Sequence, residues 1–279
     1  MQTGTIAARV LRLSLSSAVL LGCLAAGPAK ADLLFDRGLP TANLNTGNAS
    51  QSNVIWAFAP HPPFFSGDDF TLGSVPAGAA NWVIDDIRIW TAAGAIGNTG
   101  YTLGSEYSSI TLYGGPDSVG VSPLISGNIS GNTATNNITF TPVQYAGNLD
   151  YQGSSGNMYQ LWQVDFGNLN WLVSANTLTD FGVDAVTTNP ADYWFNHASN
   201  AALSGSTQQG ADNLLLWFDS TNLANYGTWD SGPGGNGGFS SSTDINVQVF
   251  GHAVPEPGTL LLLGLGLSGL ALRRRKGAV

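Results

Sequence analysis

The 279-residue chain contains one cysteine, Cys23. No intrachain disulfide can form, and no Cys-based zinc or redox motif is available. Cations are nearly as scarce. Of nine Lys and Arg residues, only Arg37 and Arg88 lie between Asp32 and His252, and that stretch has no lysine. Schiff-base chemistry is therefore excluded there, and phosphate backbones have little to bind. The only histidines are His61, His197 and His252. The sequence has no G-x-S-x-G, no H-E-x-x-H and no phosphate-cradling loop ahead of a helix. Acids are plentiful: sixteen Asp and Glu106 between Asp32 and His252 give that stretch a net charge of −15. Such a surface repels nucleic acid and anionic lipid, and it suits divalent cations, neutral sugars or a cationic partner. Solubility alone accounts for most of the charge.

Both termini carry segments unlike the rest. Arg9 and Arg12 precede an apolar run from Leu13 to Ala26, followed by Ala29-Lys30-Ala31. This pattern predicts a signal peptide over 1–31, cleaved after Ala31 under the direction of Ala29 and Ala31. Cys23 follows Leu20-Leu21-Gly22, close to a lipoprotein box but with leucine where a small residue is preferred. At the other end, Val254-Pro255-Glu256-Pro257-Gly258 leads into an apolar run from Thr259 to Leu272, then Arg273, Arg274, Arg275 and Lys276. As a helix those 14 residues span about 21 Å, against a bilayer core of about 30 Å. The run predicts a transient membrane helix, short enough to need thinning or snorkelling. Its basic cluster holds the tail in the cytoplasm and leaves everything before Pro255 outside. The prolines bias the motif toward an extended shape that a peptidase can grip.

The Pro-Glu-Pro motif, apolar helix and basic tail together resemble the PEP-CTERM sorting signal of Gram-negative bacteria that export surface polysaccharide. The resemblance implies recognition of Val254, Pro255, Glu256 and Pro257 by an exosortase, a membrane-embedded cysteine peptidase, and delivery to the cell surface or matrix. It also implies a cell that makes exopolysaccharide, biofilm or floc. Asp68-Asp-Phe-Thr-Leu72 and Asn81-Trp-Val-Ile-Asp-Asp-Ile-Arg-Ile-Trp90 look like strands of many PEP-CTERM ectodomains. The resemblance implies no activity for the part between the signals.

That part, residues 32–252, with the sorting signal at 253–279, reads as strand nearly throughout. β-Branched and aromatic runs are bounded by Gly, Asn, Ser and Pro. Expected strands are Val54–Phe58, Asp69–Leu72, Trp82–Trp90, Ser109–Tyr113, Ile138–Val143, Tyr159–Phe166, Trp171–Ser174, Leu214–Phe218 and Ile245–Phe250, with one short helix around Asn196–Leu203. Twenty-eight glycines in this part supply turns. The expected fold is all-β, a jelly-roll-like antiparallel β-sandwich. Trp82, Trp90 and Trp162 are expected in its core.

Two constellations could bind a ligand. Asp68-Asp69 and Asp85-Asp86 are adjacent carboxylate pairs flanking one connection, and hard oxygen ligands suit a structural Ca2+. Against that, neighbouring strand residues face opposite ways, and Asp86 could simply pair with Arg88. Tyr193, Trp194 and Trp229 sit among Asp, Asn and Ser, a composition suited to sugar rings, although tryptophans of such a domain belong first in its core. The leading reading is a non-enzymatic exported surface or matrix protein. A calcium-assisted carbohydrate-binding module that engages extracellular polysaccharide is the alternative. A secreted hydrolase would need two carboxylates across a cleft, and no pair stands out.

Overall fold

The runs of β-branched and aromatic residues form strands along most of the chain described by a computed structural model. Those residues are 31–38, 52–55, 64–93, 102–117, 119–143, 150–152, 158–188, 194–197, 199, 216–219, 221–228, 244–256, 258, 264 and 266. The chain divides into two units, Met1–Ala31 and Asp32–Val279, and every described strand belongs to the second.

The strands in chain order are β1 (Asp32–Arg37), β2 (Ser52–Ile55), β3 (Phe64–Thr71), β4 (Ala79–Ala93), β5 (Tyr107–Pro116), β6 (Ser122–Ser130), β7 (Thr133–Ala134) and β8 (Ile138–Pro142). They continue with β9 (Asp150–Gln152), β10 (Met158–Phe166), β11 (Trp171–Val173), β12 (Leu178–Thr187), β13 (Trp194–His197), β14 (Leu216–Asp219), β15 (Asn225–Thr228) and β16 (Val247–Pro255). A single helical turn, Leu103–Glu106, enters β5.

Among the described residues all strand pairings are antiparallel and build two sheets. One runs β1-β16-β4-β10-β8, with β2, β9, β11 and β13 attached; the other runs β15-β14-β3-β12-β5-β6-β7. Eight of these strands follow one rule. β1 pairs with β16, β3 with β12, β4 with β10 and β5 with β6. First pairs with last and the pairs nest inward, alternating between sheets. This is a long hairpin rolled into a sandwich, the jelly roll.

β4 is the spine of the first sheet. Along one edge it pairs with β16 and then β13, along the other with β11 and then β10. Its pairing with β16 shifts register: Phe250 lies opposite Asp86, and Gly251 opposite Ile84. Asp85 is thus the extra residue of a β-bulge. The bulge explains why Ile84, Ile87 and Ile89, whose spacing breaks a period of two, all enter the core. Gly251 is required here, because a Cβ on it would lie 2.0 Å from the Val83 carbonyl oxygen.

The core draws on both sheets: Ile84, Ile87, Ile89, Trp162, Val164, Phe166, Val247 and Val249 from one, and Phe70, Ile110, Leu112, Phe181 and Val183 from the other. Trp90 and Trp162 are buried, and Trp82 packs partly buried against the cluster with its indole N–H on the Gly73 carbonyl at 2.8 Å. A smaller aromatic cluster stacks Phe65 between Tyr113 and Phe218, with ring centroids 4.5 and 5.3 Å away. Asparagines serve the turns: Asn136, Asn137, Asn168, Asn170 and Asn176 adopt positive φ, which this side chain tolerates better than most.

Two expectations are corrected. Asn196 and His197 belong to strand β13, not to a helix, because they pair with Asn53 and Ser52 of β2; residues 200–203 lie outside the described residues. The last strand does not stop at Phe250. It continues to Pro255, because β4 extends back to Ala79 and offers a partner to each residue from Gly251 to Pro255.

Candidate functional site

The end of β16 carries the sequence-predicted motif. His252 lies opposite Val83, Ala253 opposite Trp82, Val254 opposite Asn81 and Pro255 opposite Ala79. The Glu256 backbone N–H then donates to the Gly78 carbonyl at 2.9 Å. Backbone groups alternate sides along a strand. Glu256 faces β4, so Val254 faces β4 too, while Ala253 and Pro255 face away from it. On that outer side β1 begins only at Asp32, opposite Gly251. Beyond Gly251 no described strand pairs with β16 on its outer side. Pro255, with no N–H, thus occupies a position where the missing donor breaks no bond to β4. Pro255 and Glu256 are exposed, and Ala253 and Val254 half-buried.

His252 anchors this segment. Its Nδ1 lies 2.8 Å from Asp85 Oδ2, so the bulged carboxylate is turned onto the strand that carries the motif. Asp86 lies beside it. Burial raises its pKa above the usual carboxylate value, partly offset by a hydrogen bond from the Asn168 backbone N–H. Arg88 does not pair with Asp86 as the sequence suggested. Its Nε lies 2.5 Å from Oδ1 of Asp165, its direct cross-strand neighbour, and strand pairing rather than chain proximity made that choice.

Upstream, the lead-in to β16 is tied down by a buried polar cluster that sequence reasoning missed. Arg37, at the end of β1, is fully buried. Its Nη2 lies 3.1 Å from Asp68 Oδ2 and its Nη1 3.8 Å from Asp244 Oδ2. Nε donates to the Ile245 carbonyl at 2.9 Å and Nη2 to the Asp69 carbonyl at 2.8 Å. Asp68 also accepts from the backbone N–H groups of Asp69 and Ile245. The Asn246 side-chain amide donates to the Arg37 and Gly38 carbonyls, and its Oδ1 meets His197 Nδ1 at 2.6 Å. Burial holds the Asp68 carboxyl well above its ordinary pKa despite the opposing pull of Arg37. The only hint in the sequence was a lone arginine within an acidic stretch.

The candidate calcium ligands are divided between the sheets. Asp68 and Asp69 lie on β3, with Asp68 engaged by Arg37, and Asp85 and Asp86 lie on β4, with Asp85 engaged by His252. Among the described residues no group of three or more His, Cys, Asp or Glu is placed to hold a metal ion. For the aromatic candidates, the backbone of Trp194 lies in β13. The Trp194 side chain, Tyr193 and Trp229 lie outside the described residues, as do Ala29, Pro257 and the basic cluster Arg273–Lys276. Gly258, Gly264 and Gly266 are helical, and no helix among the described residues is long and apolar enough to cross a membrane.

Comparison with protein families decides the meaning of the strand end. Residues 253–276 match the PEP-CTERM protein-sorting motif. The PEP-CTERM signal marks an exported protein sorted by an exosortase. It starts at Ala253, inside β16, so the first residues of the signal are also the last residues of the sandwich. No curated protein and no solved structure matches the chain.

Proposed function

We propose that the protein is a non-enzymatic component of the cell surface or extracellular matrix, delivered as the cargo of its PEP-CTERM signal and associated with extracellular polysaccharide. One observation carries this reading. β16 contributes Val247 and Val249 to the core and then becomes the sorting motif, with no linker between. A cut beyond the strand leaves every roll strand whole, so the released product is a finished domain.

The non-catalytic part of the reading is supported by how five of the described carboxylates are used. Asp68 and Asp165 hold arginines, and Asp85 holds His252. Asp36 accepts from Gln248 and Gly38, and Asp219 from Thr221. Each of these stabilises the fold locally. The polysaccharide association rests on the sorting signal and on an acidic, lysine-free exported part that suits neutral sugars.

The test is retention of the exported protein on polysaccharide from its own producing cells, with and without a chelator. Retention in both arms supports the reading. Retention abolished by chelator makes the association calcium-dependent, and no retention in either arm removes the polysaccharide partner. A matching glycan-hydrolysis assay that released sugar from this polysaccharide would end the non-enzymatic reading.

A further inference from the structure

We infer that the peptidase reads the motif by adding a strand of its own to the open outer edge of β16 at Ala253–Pro255. The inference rests on the exosortase reading and deepens it by naming how the folded domain presents the motif. Three observations combine. The segment is already extended and held on one side by β4 through Val254 and the Glu256 N–H. On its other side, among the described residues, the ladder stops at Gly251, opposite Asp32 where β1 begins. The groups on that side are the N–H and C=O of Ala253 and the C=O of Pro255, one donor and two acceptors in the spacing an antiparallel strand requires. Strand addition to such an edge gives affinity through main-chain bonds and leaves side chains to specify the partner. Pro255 limits promiscuous pairing by removing one donor from the edge. Pro255 and Glu256 are exposed, so their side chains are available for reading. Backbone up to the Glu256 N–H stays bonded to β4 in this arrangement, which places the scissile bond C-terminal to Glu256.

The edge can be closed without touching the motif. Inserting Thr-Val-Thr-Val between Ala31 and Asp32 prolongs β1 along Ala253–Pro255, whereas Gly-Ser-Gly-Ser of equal length does not favour pairing. Ala253→Pro is a smaller change, made at the first residue of the signal itself: it deletes the outward N–H and leaves the β4-facing groups alone. In cells containing an exosortase, conversion to the shortened product is followed by pulse-chase and its C-terminus by mass spectrometry. The β-forming insertion and Ala253→Pro should each slow processing about tenfold, the effect of one or two lost hydrogen bonds, with the Gly-Ser insertion at the native rate. Equal rates for all chains, equal slowing by both insertions, or a product ending before Glu256 would overturn the inference. If the Thr-Val insertion prevents folding, Ala253→Pro decides alone. Native-rate processing of a Pro255→Ala/Pro257→Ala chain would instead defeat the underlying exosortase reading.

Discussion

Replacing Arg37 by Met should cost about 3–5 kcal/mol at neutral pH, the range for removing one partner of a buried ion pair. The structure explains why the cost sits at the upper end of single substitutions. The Arg37 and Asp68 side chains are 1% and 0% exposed, so solvent cannot compensate either one. Met fills similar volume but leaves Asp68 and Asp244 facing each other, and leaves the Ile245 and Asp69 carbonyls without their guanidinium donors. The loss should depend on pH with a definite sign. Burial already raises the Asp68 pKa, so this group's contribution is full below the ordinary carboxylate value and falls as pH rises through its folded value. Removing Arg37 removes the larger of the two influences that lower that pKa, the Ile245 N–H being the other, and widens the window. The deficit of the variant should therefore be largest near pH 7 and shrink toward pH 4. Urea unfolding of the exported protein, read by the buried Trp90 and Trp162, measures it. With a slope of about 3 kcal/mol per molar urea, the midpoint should fall by about 1–1.7 M. A deficit under about 1 kcal/mol, or one of the same size at both pH values, would refute the reasoning.

Other outcomes follow from the same contacts. Gly251→Ala drives a methyl into the Val83 carbonyl at the bulge, and should lower stability by about 1–3 kcal/mol and the thermal midpoint by about 2–12 °C; an unchanged midpoint would remove the close-approach argument. Arg88→Ala, whose pair with Asp165 is 32% and 25% exposed, should cost no more than about 1 kcal/mol, and that cost should vanish at high salt in parallel urea melts. Asp219 accepts from the Thr221 hydroxyl and backbone N–H, which hold its pKa below the usual value. Its contribution is present above that usual value and lost as pH falls. Thr221→Ala should move the Asp219 carboxyl titration back up by NMR, and an unmoved titration would show the hydroxyl to be irrelevant.

Where burial and β-propensity coincide, the sequence was a good guide. Trp82–Trp90 and Tyr159–Phe166 were legible as strands and only their ends moved, because pairing partners extend them to Ala79–Ala93 and Met158–Phe166. β6 and β12 were not legible. β6 is rich in Ser, Pro, Gly and Asn, and β12 carries Asp180, Gly182 and Asp184 in a central strand. Close packing explains β12: Gly182 faces Gly67, where a Cβ would sit 1.9 Å from the Phe181 carbonyl. The bulge at Asp85 left a trace in the spacing of Ile84, Ile87 and Ile89, which a strict period-two reading passes over. Arg37 left almost none, because its partner carbonyl on Ile245 is 208 residues away. The motif itself was plain, but not its place in a ladder, since nothing in Val-Pro-Glu-Pro discloses that Ala79 and Asn81 await it.

The rolled hairpin also sets a timetable. β16 lies between β1 and β4, yet it is supplied by residues 247–255 of a 279-residue chain. Until those residues arrive, β1 has no neighbour in its sheet and the flank of β4 from Ala79 to Ile89 stands bare. Closing so distant a pairing is slow, and a chain that cannot close early stays threadable during passage through a narrow channel. Completion of the sandwich and arrival of the processing signal are then coupled, because Ala253–Pro255 are at once the last residues of β16 and the first of the signal.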